Sequence, residues 1–84
     1  TVIPVHRHRN TSEVVSVIRG SVRQNFYDNN GTLIESFIVA AGESLPLFVV
    51  PMGIWHNMEA LQSGTVIFEA KDGMYAPLLP EDVL

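Results

Sequence analysis

Apolar and polar residues alternate along this chain in short runs rich in Val, Ile, Phe and Thr, punctuated by Gly, Asn and Pro. No segment has the length and 3.6-residue period of a helix, so the pattern predicts an all-β fold, a sandwich or small barrel. Residues 2–8 read as a first strand, with His6 and His8 on one face and Arg7 and Arg9 on the other, solvated face. Residues 13–19 and 22–28 read as a hairpin, because Gly at the first loop position of Gly20-Ser21 suits a type II′ turn. That turn sets Val17 opposite Gln24 and Val15 opposite Phe26. With Glu13 facing the interior, those four residues face it too, while Val14, Ser16 and Ile18 lie outward against Tyr27, Asn25 and Arg23.

Asn29-Asn30-Gly31 suits a three-residue loop with Gly31 in the left-handed conformation, a register in which Phe26 meets Ile34 and Gln24 meets Ser36. A two-residue Asn30-Gly31 loop would set Phe26 against Glu35 instead. That would place a carboxylate among apolar groups at a cost on the order of several kcal/mol, so the first register is preferred. Gln24 and Ser36 then sit inside the barrel near the histidine face, either as mutually satisfied core residues or, with Phe26 beside them, as substrate contacts. Residues 45–50 are apolar at both parities, as in a strand covered on both sides. Pro51 and Gly53 make a tight turn that delivers His56, and Trp55, of opposite parity, packs outward against another layer. Residues 65–71 form a last strand with Val66 and Phe68 on one face. The tail, with Pro77 and Pro80 among Leu78, Leu79 and Val83, packs over a barrel end or a partner.

Eighty-four residues make one domain, and a chain this short buries only about 60 to 65% of the surface its unfolded form exposes. The net charge of −4 argues against nucleic acid and anionic membranes as partners. The absence of cysteine excludes disulfides, thiolate ligands and Cys nucleophiles. The longest apolar run, residues 45–55, is too short to span a bilayer and is interrupted by Pro46 and Pro51. A cytoplasmic location and a homodimer are expected, the dimer because the core is small. The chain opens at Thr1, five positions before its first candidate ligand, which points to the core of a longer chain lacking its N-terminal part.

The chemistry concentrates in the histidines. In an extended strand His6 and His8 lie roughly 7 Å apart on one face, close enough to grip one ion. Glu13 follows after a short connection, and His56 is the third and last histidine of the chain. No nucleophile elbow, phosphate-binding Gly loop or CxxC motif is present. Of the further acids, Glu59 and Glu69, Glu69 is the better candidate for proton transfer because it sits in a strand.

His6-x-His8-x4-Glu13-x6-Gly20, joined to Pro51-x-Gly53-x2-His56, resembles the two sequence motifs of the cupin superfamily. The neighbourhood of His6-Arg7-His8, the turn Gly53-Ile54-Trp55-His56 and the tail from Phe68 through Met74-Tyr75-Ala76-Pro77 are most similar to the WbuC-type cupin metalloproteins, small bacterial proteins often encoded with O-antigen polysaccharide genes. In the usual second motif a Gly stands where this chain has Leu45, and an Asn where it has Ala60. The resemblance implies a small cupin β-barrel or jelly roll holding one divalent ion through His6, His8, Glu13 and His56. An octahedral Fe, Mn or Ni ion would keep two adjacent positions open, whereas Zn would favour a filled tetrahedral site. The implied function is action on a small carbohydrate or sugar nucleotide, isomerase- or epimerase-like. The alternatives are a non-enzymatic metal-stabilised binding module or a non-haem metal dioxygenase.

Overall fold

Two three-stranded antiparallel sheets, ordered β4-β1-β6 and β3-β2-β5, share one apolar core in the computed structural model, which describes residues 3–73 and 78–84. The strands are β1 (Glu13–Arg19), β2 (Ser21–Tyr27), β3 (Leu33–Ala40), β4 (Leu47–Val50), β5 (Trp55–Ala60) and β6 (Val66–Lys71). The all-β class expected from the alternation is therefore observed, but as two separate sheets; no closed barrel forms among the described residues. Val15, Val17, Phe48 and Val50 from the first sheet meet Val22, Phe26, Val39 and Met58 from the second. Each such side chain contributes about 1.5–3 kcal/mol by leaving water, and that burial holds the sheets together.

The expected hairpin between β1 and β2 does not form. β1 pairs with β4 and β6, and β2 with β3 and β5, so Gly20 carries the chain from one sheet to the other. Gly20 has φ 81°, and a Cβ there would run into Thr65 Oγ1, so only glycine allows this crossing. The inward set inferred from the hairpin is nevertheless buried: Glu13, Val15, Val17, Gln24 and Phe26 all face the interior. Alternation fixed the faces; the turn chemistry misassigned the partners.

The β2–β3 register also differs from the expectation. Phe26 is paired with Glu35, Gln24 with Phe37 and Asn25 with Ser36, and a shift after Phe26 sets Tyr27 opposite Leu33. The cost assigned to that register does not arise, because β3 is an edge strand and Glu35 is exposed. Ser36 is thereby placed on the outer face, where its hydroxyl donates to Asn25 Oδ1 at 2.8 Å.

β4 is likewise an edge strand, and Leu47 and Val49 are exposed at alternate positions, not covered on both sides. The outer face of its sheet is apolar: Val14, Val49 and Phe68 are 41%, 53% and 56% exposed. The outer face of the other sheet carries cross-strand polar pairs, Arg23–Glu59 at 2.6 Å and Asn25–Asn57 at 3.0 Å.

Residues 3–12 form no regular strand, contrary to the first strand expected over 2–8. His6 alone makes isolated bridges to His56 and Val83. After residues 74–77, which lie outside the described residues together with the WbuC-like Met74-Tyr75-Ala76-Pro77, a 3-10 turn at Pro80–Asp82 returns the tail to this segment.

Candidate metal centre

His6 and His56 exchange both backbone hydrogen bonds, at 2.9 and 2.8 Å, so the N-terminal segment is tied to the start of β5. The turn after β4 adds a second tether, with Gly53 N–H donating to the His8 carbonyl at 2.7 Å. Gly53 has φ 82°, which lets that N–H face back towards His8. A third tether is Ser12, whose hydroxyl accepts from Met52 N–H at 3.2 Å and whose own N–H donates to Asp72 at 2.9 Å. With further backbone bonds from Ile3 N–H to the Met58 carbonyl and from Arg7 N–H to the Asp82 carbonyl, the irregular segment is anchored along its length.

These tethers bring the three imidazoles together, with ring centroids 4.4 Å apart for His6 and His56, 5.0 Å for His6 and His8, and 5.7 Å for His8 and His56. One nitrogen from each lies within 4.8 Å of the others. Three nitrogens on one tetrahedral or octahedral ion would lie about 3 to 3.5 Å apart, so side-chain rotations are needed to bring the set to bonding distance. His6 Nδ1 sits 2.8 Å from the Pro4 carbonyl, which can only accept, so the proton is on Nδ1 and the lone pair is on Nε2.

Glu13 faces the same space from the first residue of β1, its Oε1 3.9 Å from His56 Nε2. Glu13 and His56 are 5% and 4% exposed, and Glu13 Oε2 and His56 Nε2 have no hydrogen-bond partner among the described residues. Leaving a buried polar atom unpaired costs roughly 1–3 kcal/mol, so two orphans side by side are expensive unless something fills the space between them. A divalent cation accepts lone pairs from both. The three imidazoles form the close set, and Glu13 stands outside it, near His56 alone; were the carboxylate to join the imidazoles on a divalent ion, the formal residual charge would be about +1.

Electrostatics favour the same ligand state. Burial, with His6, His8 and Lys71 nearby, lowers the His56 pKa to about 3, so its lone pair stays free of protons. His8 is lowered by burial and by Lys71 and His6, against an opposing pull from Asp82. Glu13 is raised, by burial and then by Glu69, against the pull of Lys71. A cation bound at Glu13 would favour the carboxylate form and oppose the burial penalty.

A cavity of about 230 Å³ opens onto the histidines, lined also by Glu13, Gln24, Glu69 and Lys71. Gln24 is 1% exposed, and its Nε2 also has no partner among the described residues. Phe26 is absent from the lining; it belongs to the core and stands opposite His56 across the β2–β5 ladder. Ser36, on the outer face, does not reach the cavity. Of the two further acids, Glu69 lines the cavity and Glu59 pairs with Arg23 outside it.

Sequence reasoning missed two features. Arg7 and Arg9, read as a solvated face, both donate to Asp82 Oδ1, at 3.0 and 2.6 Å. Burial works to raise the Asp82 pKa, but hydrogen bonds from Arg9, Arg7 and the Leu79 N–H outweigh it, and the pKa is lowered. Arg7 also lies 4.5 Å over the Trp55 ring, so the layer that covers this outward tryptophan comes from the same chain. The second missed feature is Lys71, which faces the cavity because it is paired with Glu13 across the β1–β6 ladder. The strand parity of residues 65–71 was the signal available for it.

A family model described as a domain of unknown function (DUF6016) matches residues 1–39. The chain is similar to that family over the stretch containing His6, His8 and Glu13, which stops short of His56. No curated protein and no solved structure matches the chain.

Proposed function

We propose that this chain is a cupin-type metalloprotein that binds one divalent ion through His6, His8, Glu13 and His56 and presents it to a small oxygen-rich molecule. The observation that carries the reading is the pair of orphaned, buried ligand atoms, Glu13 Oε2 and His56 Nε2, beside two more imidazoles at the head of a cavity. When bound, the ion supplies Lewis acidity to a ligand's oxygens. The chain's own residues set the rest: Glu13 and the imidazoles fix the ion, the apolar wall of Val15 and Met58 limits water, and Glu69 is within the cavity to hold or move a proton.

The motif resemblance adds a carbohydrate or sugar derivative as the substrate class, processed by isomerisation or epimerisation, in the manner of proteins encoded with polysaccharide genes. The second reading is a metal-stabilised binding module, favoured by the smallness of the core, which ion binding would reinforce. Cobalt(II) loading followed by absorption spectroscopy separates the two. The weak absorption of a six-coordinate ion that changes on adding a ligand supports the enzyme reading; the intense absorption of a four-coordinate ion unaltered by any sugar in a screen supports the module.

A further inference from the structure

We infer that the ligand of this centre is a small polyhydroxy carboxylate, held by Lys71 and Gln24 beside the ion; the inference rests on the metal-binding reading above. Lys71 is paired with Glu13 and lines the same cavity as the histidines. It is also an uncommitted cation. Arg7 and Arg9 are held by Asp82, and Arg23 by Glu59, whereas Lys71 and Arg19 have no ion-pair partner among the described residues, and of these two only Lys71 lines the cavity. With a divalent ion in place, the charges of Glu13, Glu69 and Lys71 leave the cavity with one net positive charge. A single carboxylate would balance it.

Gln24 supplies the orientation. Gln24 lines the cavity, and its Nε2 is buried and unpartnered, a donor for an acceptor that the described residues do not provide. A carboxylate with one oxygen on the ion has a second oxygen free to accept from Gln24 or Lys71. Glu69, two residues before Lys71 on the same face of β6, is acceptor-only when ionised. It would pair with a hydroxyl of the ligand and repel a second carboxylate. A cavity of about 230 Å³ suits a short acid rather than a polymer.

The experiment is isothermal titration of the metal-loaded full chain with gluconate and with glucitol, which share a polyhydroxy chain and differ in the carboxylate. Gluconate is expected to bind at least about tenfold more tightly, a difference of roughly 1.4 kcal/mol. Lys71→Met should reduce that preference to about twofold or less with metal content unchanged, Lys71→Arg should keep it, and Gln24→Leu should weaken gluconate several-fold. Equal binding of the two probes, or a preference that survives Lys71→Met in metal-loaded protein, would overturn the inference and leave metal binding standing. A wild-type chain that takes up no metal overturns the reading beneath it, and metal analysis reads that outcome separately.

Discussion

Residues 6 to 9 feed two sites of opposite character. His6 and His8 project into a cavity where three polar atoms, on Glu13, Gln24 and His56, are buried without partners. Arg7 and Arg9 project the other way, onto Asp82, whose carboxylate receives both guanidinium groups and the Leu79 N–H. The Asp82 carboxylate is satisfied by the chain itself, although Trp55 Nε1, in the ring under Arg7, has no partner among the described residues; the atoms on Glu13, Gln24 and His56 are not satisfied either, and these three share one cavity. The difference separates a structural ion-pair cluster from the proposed binding site: the first meets its own carboxylate's hydrogen-bond needs, whereas the second leaves donors and lone pairs open to an outside group. The clamp serves the site, because it fixes the backbone that carries both histidines.

The sharpest way to break the comparison is to remove a ligand from the unsatisfied side. His8→Ala and His56→Ala are each expected to weaken metal binding by about a hundredfold or more and to lower the melting temperature measured with metal present. On the clamp side, Asp82→Asn should loosen the segment while sparing every ligand. A fall in metal affinity nearer tenfold is expected, together with a lower melting temperature for the metal-free protein. If Asp82→Asn equalled His56→Ala in its effect on metal, the two sides would not be distinct.

Acid should act on the site through its histidines. An unfolded His56 takes a proton near 6.5, whereas the folded one resists it down to about 3. Lowering the pH through that window therefore favours the unfolded, proton-binding chain. Metal-free protein is expected to keep this contribution above about pH 6.5 and to lose it progressively towards pH 3, with His8 adding in the same direction. Glu13 has the opposite sign: its raised pKa favours the folded state at low pH, and that contribution fades as pH rises through the raised value. Chemical denaturation across pH 4 to 8 checks the net slope, which should be positive and steeper in wild type than in His56→Ala.

The smallest expected effect is at Gly53. Its φ of 82° strains any other residue, but a Cβ there meets nothing within 4 Å, so Gly53→Ala should cost only roughly 1–2 kcal/mol of stability. Gly20→Ala, at similar φ but against Thr65, should cost more. Thermal melts of both variants test this order.

The inward faces of β1 and β2 were legible because a period of two leaves little choice once Glu13 or Val15 is placed. Strand partners were not, because Gly20-Ser21 has the composition of a hairpin turn while its conformation is a crossing between sheets. The register of Phe26 was misjudged for a related reason: exposure of Glu35 depends on β3 being an edge, which no local pattern records. The convergence of His6, His8 and His56 followed the motif spacing. Asp82 had no such signal, since it reaches Arg7 and Arg9 only through the tail's return over more than seventy positions.

Elemental analysis of natively expressed protein, alongside a His8→Ala/His56→Ala double variant purified identically, tests the metal centre most directly. The expected result is close to one divalent ion per wild-type chain and almost none in the variant. A wild-type chain without metal, or a variant that retains the full complement, would contradict it.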